Sequence, residues 1–199
     1  RAIRAQLTVA VKGLGGFHLA CDATSSLAVV RLRERKHRET KPLAVMVPDL
    51  SAAEDLAFLS EAERNLLTSV ERPIVLVRQK PHTALAPEVT GDNPLIGLFL
   101  PYTPLHHILL RECGRPLVMT SGNISEEPMI THNQMAFDQL KEIADVFVLH
   151  DREIETRVDD SVVRVIDGEP TVFRRARGYV PRGIELASQY RPAGDGREV

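Results

Sequence analysis

Short, uninterrupted apolar runs constrain the fold of this chain more than any other feature of its sequence. They occur at residues 43–47 (LAVMV), 73–77 (PIVLV) and 96–100 (IGLFL). The runs do not alternate with polar residues, which is typical of strands that are buried on both faces. Segments with helical signals separate them. The sequence therefore predicts an α/β domain with a twisted, mixed parallel and antiparallel sheet and flanking helices.

Local signals predict the other elements. The capping-box pattern occurs at Ser51 with Glu54 and at Ser60 with Glu63, so we expect two short helices there. The remaining elements are expected as follows: strands at 7–11, 117–119 and 146–149, helices ending near Arg35, starting at Pro104 and covering 133–143, and a hairpin of 162–166 with 171–174 around Asp167-Gly168.

Composition limits the classes of protein that remain. The chain has 199 residues, 43% hydrophobic and 26% charged, and no apolar run long enough to cross a membrane. Cys21 and Cys113 form no CxxC pair, so we expect free thiols and a cytoplasmic location. The chain starts without Met and ends in a polar, glycine-containing tail. We therefore expect one domain over 1–186 and a linker over 187–199 that leads to a further domain.

Two basic clusters stand out against a net charge of −2, one at residues 31–41 and one at 173–178. A near-neutral chain with such clusters is better suited to one anionic ligand than to a coat of nucleic acid. The GxSxG, HExxH and Walker A motifs are all absent from the sequence. The pair His106-His107 lies in an apolar helical segment, and we interpret it as structural.

Four polar segments at predicted strand ends carry the candidate nucleotide-binding residues. They are a glycine loop (Lys12, Gly15, Gly16), a basic run (Arg33, Arg35, Lys36, Lys41), a hydroxyl–amide turn (Thr120, Ser121, Gly122, Asn123, Ser125) and the segment around the hairpin (Arg157, Asp160, Ser161, Arg174, Arg177). Glycines let backbone N–H groups approach phosphate, and several cations suit a triphosphate of about four charges. Each segment also has a plain alternative: a turn for the first and third, and a solvated helix face for the second. Asp159 and Asp160 fit either Mg²⁺ binding or pairing with the nearby arginines.

The sequence resembles the YrdC-like domain of HypF-type carbamoyltransferases, which act in the maturation of [NiFe]-hydrogenases. The residues that carry the resemblance are 32–47 (LRERKHRETKPLAVMV), 98–110 (LFLPYTPLHHILL), 120–128 (TSGNISEEP), 150–165 (HDREIETRVDDSVVRV) and 173–183 (FRRARGYVPRG). The resemblance implies a YrdC/RibB-like fold with a concave, positively charged face. It also implies that ATP, with Mg²⁺, reacts with carbamate to give carbamoyl-adenylate and pyrophosphate.

The resemblance also implies partners and residue roles. An acylphosphatase-like domain would release carbamate from carbamoyl phosphate, beside zinc-finger and transferase domains, and HypE would accept the carbamoyl group. Arg33, Arg35 and Lys41 correspond to the basic ATP-binding motif, and Thr120, Ser121 and Asn123 to the nucleotide turn. No protein nucleophile is implied, and Lys12, Arg33 and Lys41 are the candidates for positioning and charge stabilisation.

Three other functions remain open at this point. Threonylcarbamoyl-adenylate synthases share the domain, but they often have a proline-threonine pair where Lys12 stands here, which argues against threonine as substrate. The same fold also serves as an RNA-binding module, which the net charge of −2 disfavours. An antibiotic O-carbamoyltransferase is the third alternative.

Overall fold

The computed structural model describes residues 1–38, 40–124 and 127–184. Its α-helices are α1 Ser26–Arg35, α2 Leu50–Leu56, α3 Glu61–Thr68, α4 Pro104–Cys113 and α5 Asn133–Leu140, with 3₁₀ turns at Ile3–Ala5 and Pro87–Val89. Its strands are β1 Val9–Lys12, β2 Phe17–Asp22, β3 Ala44–Met46, β4 Ala57–Phe58, β5 Ile74–Gln79, β6 Leu95–Phe99, β7 Leu117–Ser121, β8 Val146–Val148, β9 Val162–Ile166 and β10 Glu169–Arg174. None of the helices in the described part is both long and apolar enough to cross a bilayer.

The strands form one mixed sheet in the order β10-β9-β5-β6-β3-β7-β2-β1-β8, and β4 pairs with β5 beside this path. The pairs β1/β8, β3/β6 and β5/β9 are parallel, and the other pairs are antiparallel. The hairpin around Asp167 and Gly168 is present, and both residues adopt the positive φ angles, 52° and 85°, that a tight two-residue turn requires. The predicted α/β class and mixed sheet are confirmed.

Both faces of the central strands are buried, which explains the uninterrupted apolar runs. In β3, Met46 packs into one core cluster, while the neighbouring Val45 packs into the cluster on the other face. In β6, Phe99 and Leu98 divide in the same way. Since successive side chains of a strand point to opposite faces, a sheet covered on both sides needs apolar residues at every position.

One of the two predicted capping boxes is present. Ser60 caps α3, and its Oγ accepts from the Glu63 backbone N–H while the Glu63 carboxylate accepts from the Ser60 N–H. The prediction of a box at Ser51 is wrong, because α2 begins two residues earlier than a cap at Ser51 requires, and Asp49 caps it by accepting from the Ala52 N–H at 2.9 Å. A carboxylate at the N-cap performs the same task there.

The glycine loop is the turn of a β-hairpin rather than the start of a helix. It joins β1 to β2, and the Gly13 N–H donates to the Gly16 carbonyl at 2.8 Å. A Cβ on Gly15 would lie 2.3 Å from Cγ1 of Val158, and one on Gly16 would lie 2.5 Å from the Met129 side chain. These glycines therefore allow the hairpin to pack closely against two neighbouring segments, a steric reason that involves no phosphate.

Candidate functional site

A cavity of about 180 Å³ lies where β2 and β7 run side by side, at the end of β7. Thr120 and Ser121 of β7 line it, together with His18 of β2. Arg38, which follows α1, and Arg174, at the end of β10, line it too. The cavity therefore brings together residues from distant parts of the sequence.

The hydroxyl–amide turn at the end of β7 is held in place by a buried lysine. Lys36 is 4% exposed, and its Nζ donates to the Ser121 carbonyl, the Asn123 carbonyl and Asn123 Oδ1, each at 2.7 Å. The Ser121 hydroxyl also donates to Asn123 Oδ1 at 2.7 Å. Burial, with the charge of Arg38 nearby, lowers the pKa of Lys36 to about 8. Lys36 thus positions the backbone of the turn beside the cavity.

Gly122 has a steric role in the same turn. Its N–H donates to the Phe17 carbonyl at 2.6 Å, and a Cβ on it would lie 2.7 Å from that oxygen. Only glycine allows the turn to approach β2 this closely. Ser125, which was also predicted for this site, lies outside the described residues.

Arg38 is the cation of the basic run that reaches the cavity. Its Nη1 donates to Thr120 Oγ1 at 3.1 Å, and its Nη2 donates to the Pro42 carbonyl at 2.8 Å. Burial, with the positive charges of Arg33 and Arg174 nearby, lowers the pKa of the Arg38 guanidinium. In the described part of the chain, the Arg174 side chain makes no hydrogen bond or ion pair. Two cations that repel each other across one cavity favour the binding of an anion between them.

Asp160 belongs to a buried network beneath the cavity. Its Oδ1 accepts from Arg177 Nε at 2.7 Å, and its Oδ2 lies 3.1 Å from His18 Nε2. Burial alone would raise the pKa of this carboxyl, but the hydrogen bonds and charges of His18 and Arg177 outweigh it and keep the pKa well below its ordinary value. Arg177 also donates to the Glu71 carbonyl and stacks 3.4 Å from the centre of the Tyr102 ring. The role of Asp160 in this network is therefore to pair with an arginine.

Asp159 and Asp160 both line the cavity, but Asp159 is exposed whereas Asp160 is buried. The described residues contain no cluster of three or more histidine, cysteine or acidic side chains suited to a metal. Mg²⁺ often binds through one or two carboxylates together with substrate phosphates. Asp159 fits that arrangement, whereas both oxygens of Asp160 are already engaged.

The structure places two other predicted cations away from the cavity. Arg33 Nε donates to the Glu88 carbonyl at 2.7 Å, and its Nη1 donates to the Arg38 carbonyl at 2.8 Å. Arg35 pairs with Asp145 at 2.8 Å. Arg33 thus connects α1 to the backbone of Arg38, and Arg35 connects the end of α1 to the segment before β8. Neither side chain lines the cavity described above.

The remaining candidates also lie elsewhere. Ser161 Oγ donates to the Arg177 carbonyl at 2.9 Å and accepts from the Ala176 N–H, so it joins two backbone segments. Lys41 and Arg157 are exposed and do not line the cavity. Lys12 is buried against a different cavity. Gly15 and Gly16 serve the hairpin packing described above.

Two polar residues that line the cavity, Arg38 and His18, were not selected from the sequence as nucleotide-binding residues. Arg38 lies within the predicted basic run, but helical spacing does not select it. The helix ends at Arg35, Lys36 is its C-cap, and His37 has a φ of 50°, so the chain changes direction just before Arg38. His18 follows the glycine loop and lies in β2, opposite Ser121 of β7. Assigning β2 as a strand would have shown that His18 shares a face with alternate residues of that strand.

The comparison with known families agrees with this architecture. The sequence profile of the Sua5/YciO/YrdC family, described as telomere recombination, matches residues 1–176. The chain belongs to this family. It is similar to the carbamoyltransferase HypF2 of Cupriavidus necator, with 50% identity over 90% of this chain and 24% of that protein. It is 48% identical to the carbamoyltransferase HypF of Synechocystis sp., over 89% of this chain and 23% of that protein.

A solved structure gives the same result for this Sua5/YciO/YrdC domain. Full-length HypF in a phosphate- and nucleotide-bound form superposes with a TM-score of 0.89 and 46% identity, over 91% of this chain and 29% of that one. The resemblance to the YrdC-like domain of HypF-type carbamoyltransferases is confirmed. The chain spans about a quarter of the length of the curated relatives that it matches.

Proposed function

We propose that this chain binds ATP in the cavity between Arg38 and Arg174 and joins carbamate to it, forming carbamoyl-adenylate. The observation that carries the proposal is the pair of guanidinium groups on one cavity beside the hydroxyls of Thr120 and Ser121. The nucleotide-bound state of the similar HypF structure supports a nucleotide as the anion. In this proposal the chain is the YrdC-like part of a HypF-type carbamoyltransferase, working with acylphosphatase-like, zinc-finger and transferase domains and with HypE as the acceptor.

The reaction needs positioning and charge rather than a protein nucleophile. A carboxylate oxygen of carbamate forms a bond to the α-phosphorus, the bond from that phosphorus to the β-phosphate bridging oxygen breaks, and pyrophosphate leaves with the electron pair. Arg38 and Arg174 stabilise the charge on the phosphates, and the backbone turn held by Lys36 orients them. Asp159 would hold Mg²⁺ together with the phosphates, and the ion would supply positive charge there.

The binding step is tested by isothermal titration of ATP into the wild-type chain and into Arg174→Ala. Loss of one charge-assisted phosphate contact costs about 1–3 kcal/mol, so we expect an affinity about 5- to 150-fold lower. Arg111→Ala is the matched control, because Arg111 lies on the surface of α4 and pairs with the exposed Glu112. Equal weakening in both variants would indicate a general charge effect and contradict the site.

The chemical step is tested by isotope exchange between pyrophosphate and ATP. We expect exchange that depends on carbamate, supplied by an equilibrated ammonium carbamate solution. Exchange that requires threonine with bicarbonate instead would assign the chain to threonylcarbamoyl-adenylate synthesis. Salt-sensitive binding of double-stranded RNA without competition by ATP would favour the binding module.

Both cysteines are unpaired and buried, which agrees with the cytoplasmic location that we propose for this reaction.

A further inference from the structure

The side-chain ammonium of Lys12 is buried and forms no ion pair with the described residues. Its side chain is 4% exposed, and its Nζ donates to the His150 carbonyl at 3.1 Å. Within residues 1–38, 40–124 and 127–184 this ammonium makes no other hydrogen bond and no ion pair. Two of its three N–H groups therefore have no protein acceptor there. Burial of an ammonium is costly unless an anion accompanies it.

The ammonium lies where two cavities adjoin. One has a volume of about 650 Å³ and the other about 310 Å³, and Lys12, Glu153 and Ile154 line both of them. We call this pair of cavities the Lys12 groove. It shares no lining residue with the cavity of Arg38 and Arg174. The Lys12 groove is therefore a separate space.

The first turn of α5 contributes a second source of positive potential. Residues 131–134 line the smaller cavity, and His132 occupies the N-cap position without a side-chain hydrogen bond to the helix. The first N–H groups of a helix have no intrahelical acceptor, and the helix dipole places partial positive charge at this end. A helix N-terminus next to a buried ammonium is suited to an oxyanion.

Polar atoms without a hydrogen-bond partner also occur in the residues next to the Lys12 ammonium. Asn133 Nδ2 donates to the His150 carbonyl at 3.3 Å, the oxygen that also accepts from Lys12. Asn133 Oδ1 and His150 Nδ1 are buried and have no partner among the described residues. Buried polar atoms are rarely left without partners in folded proteins, so this cluster points to a bound group that completes it.

We propose that Lys12 and the first turn of α5 form a binding site for a small oxyanion. Asp151 and Glu153, both exposed, stand on the same cavity wall, and their charges oppose a polyanion such as a triphosphate. The positive charge of Lys12 and of the helix N-terminus still suits an anion that carries one or two charges. Inorganic phosphate and the planar bicarbonate or carbamate anion share this chemistry. The proposal does not depend on the adenylation reaction.

Thermal unfolding at constant ionic strength tests the site with two probes, sodium phosphate and sodium bicarbonate. An anion that binds only the folded chain raises the unfolding midpoint, and above its Kd the rise follows the logarithm of the anion concentration. We expect a rise of this form in the wild-type chain with one of the two probes, and the probe that acts identifies the anion. The rise should be lost in Lys12→Met. It should persist in Lys141→Met, which removes an exposed lysine, and in Arg174→Ala, which alters the other cavity.

A midpoint that neither probe raises in the wild-type chain would overturn the proposal, and so would an unchanged response in Lys12→Met. A purely structural lysine would make Lys12→Met less stable in anion-free buffer, whereas removal of an unneutralised charge should leave it at least as stable. A second measurement needs no variant. Wild-type crystals soaked in selenate should show an anomalous peak within hydrogen-bond distance of Lys12 Nζ, and no peak there would also refute the site.

Discussion

Replacement of Lys36 by methionine is the sharpest test of how the turn beside the Arg38–Arg174 cavity is held. Methionine keeps most of the length of the lysine stem but removes three hydrogen bonds of 2.7 Å, two to backbone carbonyls and one to Asn123 Oδ1. A hydrogen bond to a charged group contributes about 1.5–3 kcal/mol, so the three bonds together contribute about 6 kcal/mol. Burial of the ammonium already costs about 3 kcal/mol, since the pKa falls from 10.5 to about 8. We therefore expect a net destabilisation of about 3 kcal/mol.

Urea unfolding, followed by linear extrapolation, measures this loss, and hydrogen exchange at Ser121 and Asn123 reports on the turn itself. The pH dependence gives an independent check. Between pH 8 and 10.5 the folded chain holds fewer protons at Lys36 than the unfolded chain, so the stability of the wild type should rise with pH in that window. Lys36→Met should lack this contribution. Lys141→Met is the control, because that lysine is exposed.

A stability within about 0.5 kcal/mol of the wild type, the size of an ordinary surface substitution, would refute this account of Lys36. Unchanged exchange at the Ser121 and Asn123 amides would refute it as well. ATP affinity should fall together with the protection of the turn, since the same backbone lines the proposed site. Lower affinity with an intact turn would instead assign Lys36 a direct contact with the nucleotide.

Two further substitutions test the packing around the cavities. His106 is fully buried, neither ring nitrogen has a partner among the described residues, and burial, with the charge of His18 nearby, lowers its pKa to about 3. As the pH falls from 6.5 towards 3, unfolded wild type binds a proton at His106 that the folded chain does not, so wild type should lose up to roughly 4 kcal/mol of stability relative to His106→Leu. A difference in urea unfolding that stays constant with pH would contradict this. Gly15→Ala places a Cβ against Val158, one residue before Asp159, so we expect a loss of about 1–3 kcal/mol and weaker ATP binding. Leu14→Ala, which alters an exposed position of the same loop, is the control, and equal losses in both variants would argue against the close approach of Gly15.

Elements whose signals are local could be predicted from the amino-acid sequence alone. Apolar residues at every position of β3 and β6 indicate a sheet that is covered on both faces, and the structure has one. The capping box at Ser60 and the turn at Asp167-Gly168 depend on residues within a few positions of each other, so short-range contacts decide them. The turn that follows the β7 strand was located for the same reason.

Only the tertiary structure decided which charged side chains reach the cavity. Arg33, Arg35 and Arg38 look equivalent in the sequence, but their partners lie far away along the chain. Arg33 is fixed by the Glu88 carbonyl and Arg35 by Asp145, which leaves Arg38 beside Thr120. A short stretch of sequence does not specify such partners, because they meet only after the sheet has formed.

The glycine loop and the aspartate pair show the same limit. Glycines beside Lys12 fit a phosphate loop or a hairpin equally well until β2 is paired with β1. Asp159 and Asp160 are adjacent and both line the cavity, yet Asp159 is exposed while Asp160 is buried and engaged by Arg177 and His18, which come from distant parts of the chain. The amino-acid sequence specifies which charged and polar groups the chain has. The packing of distant segments decides which of those groups line a cavity.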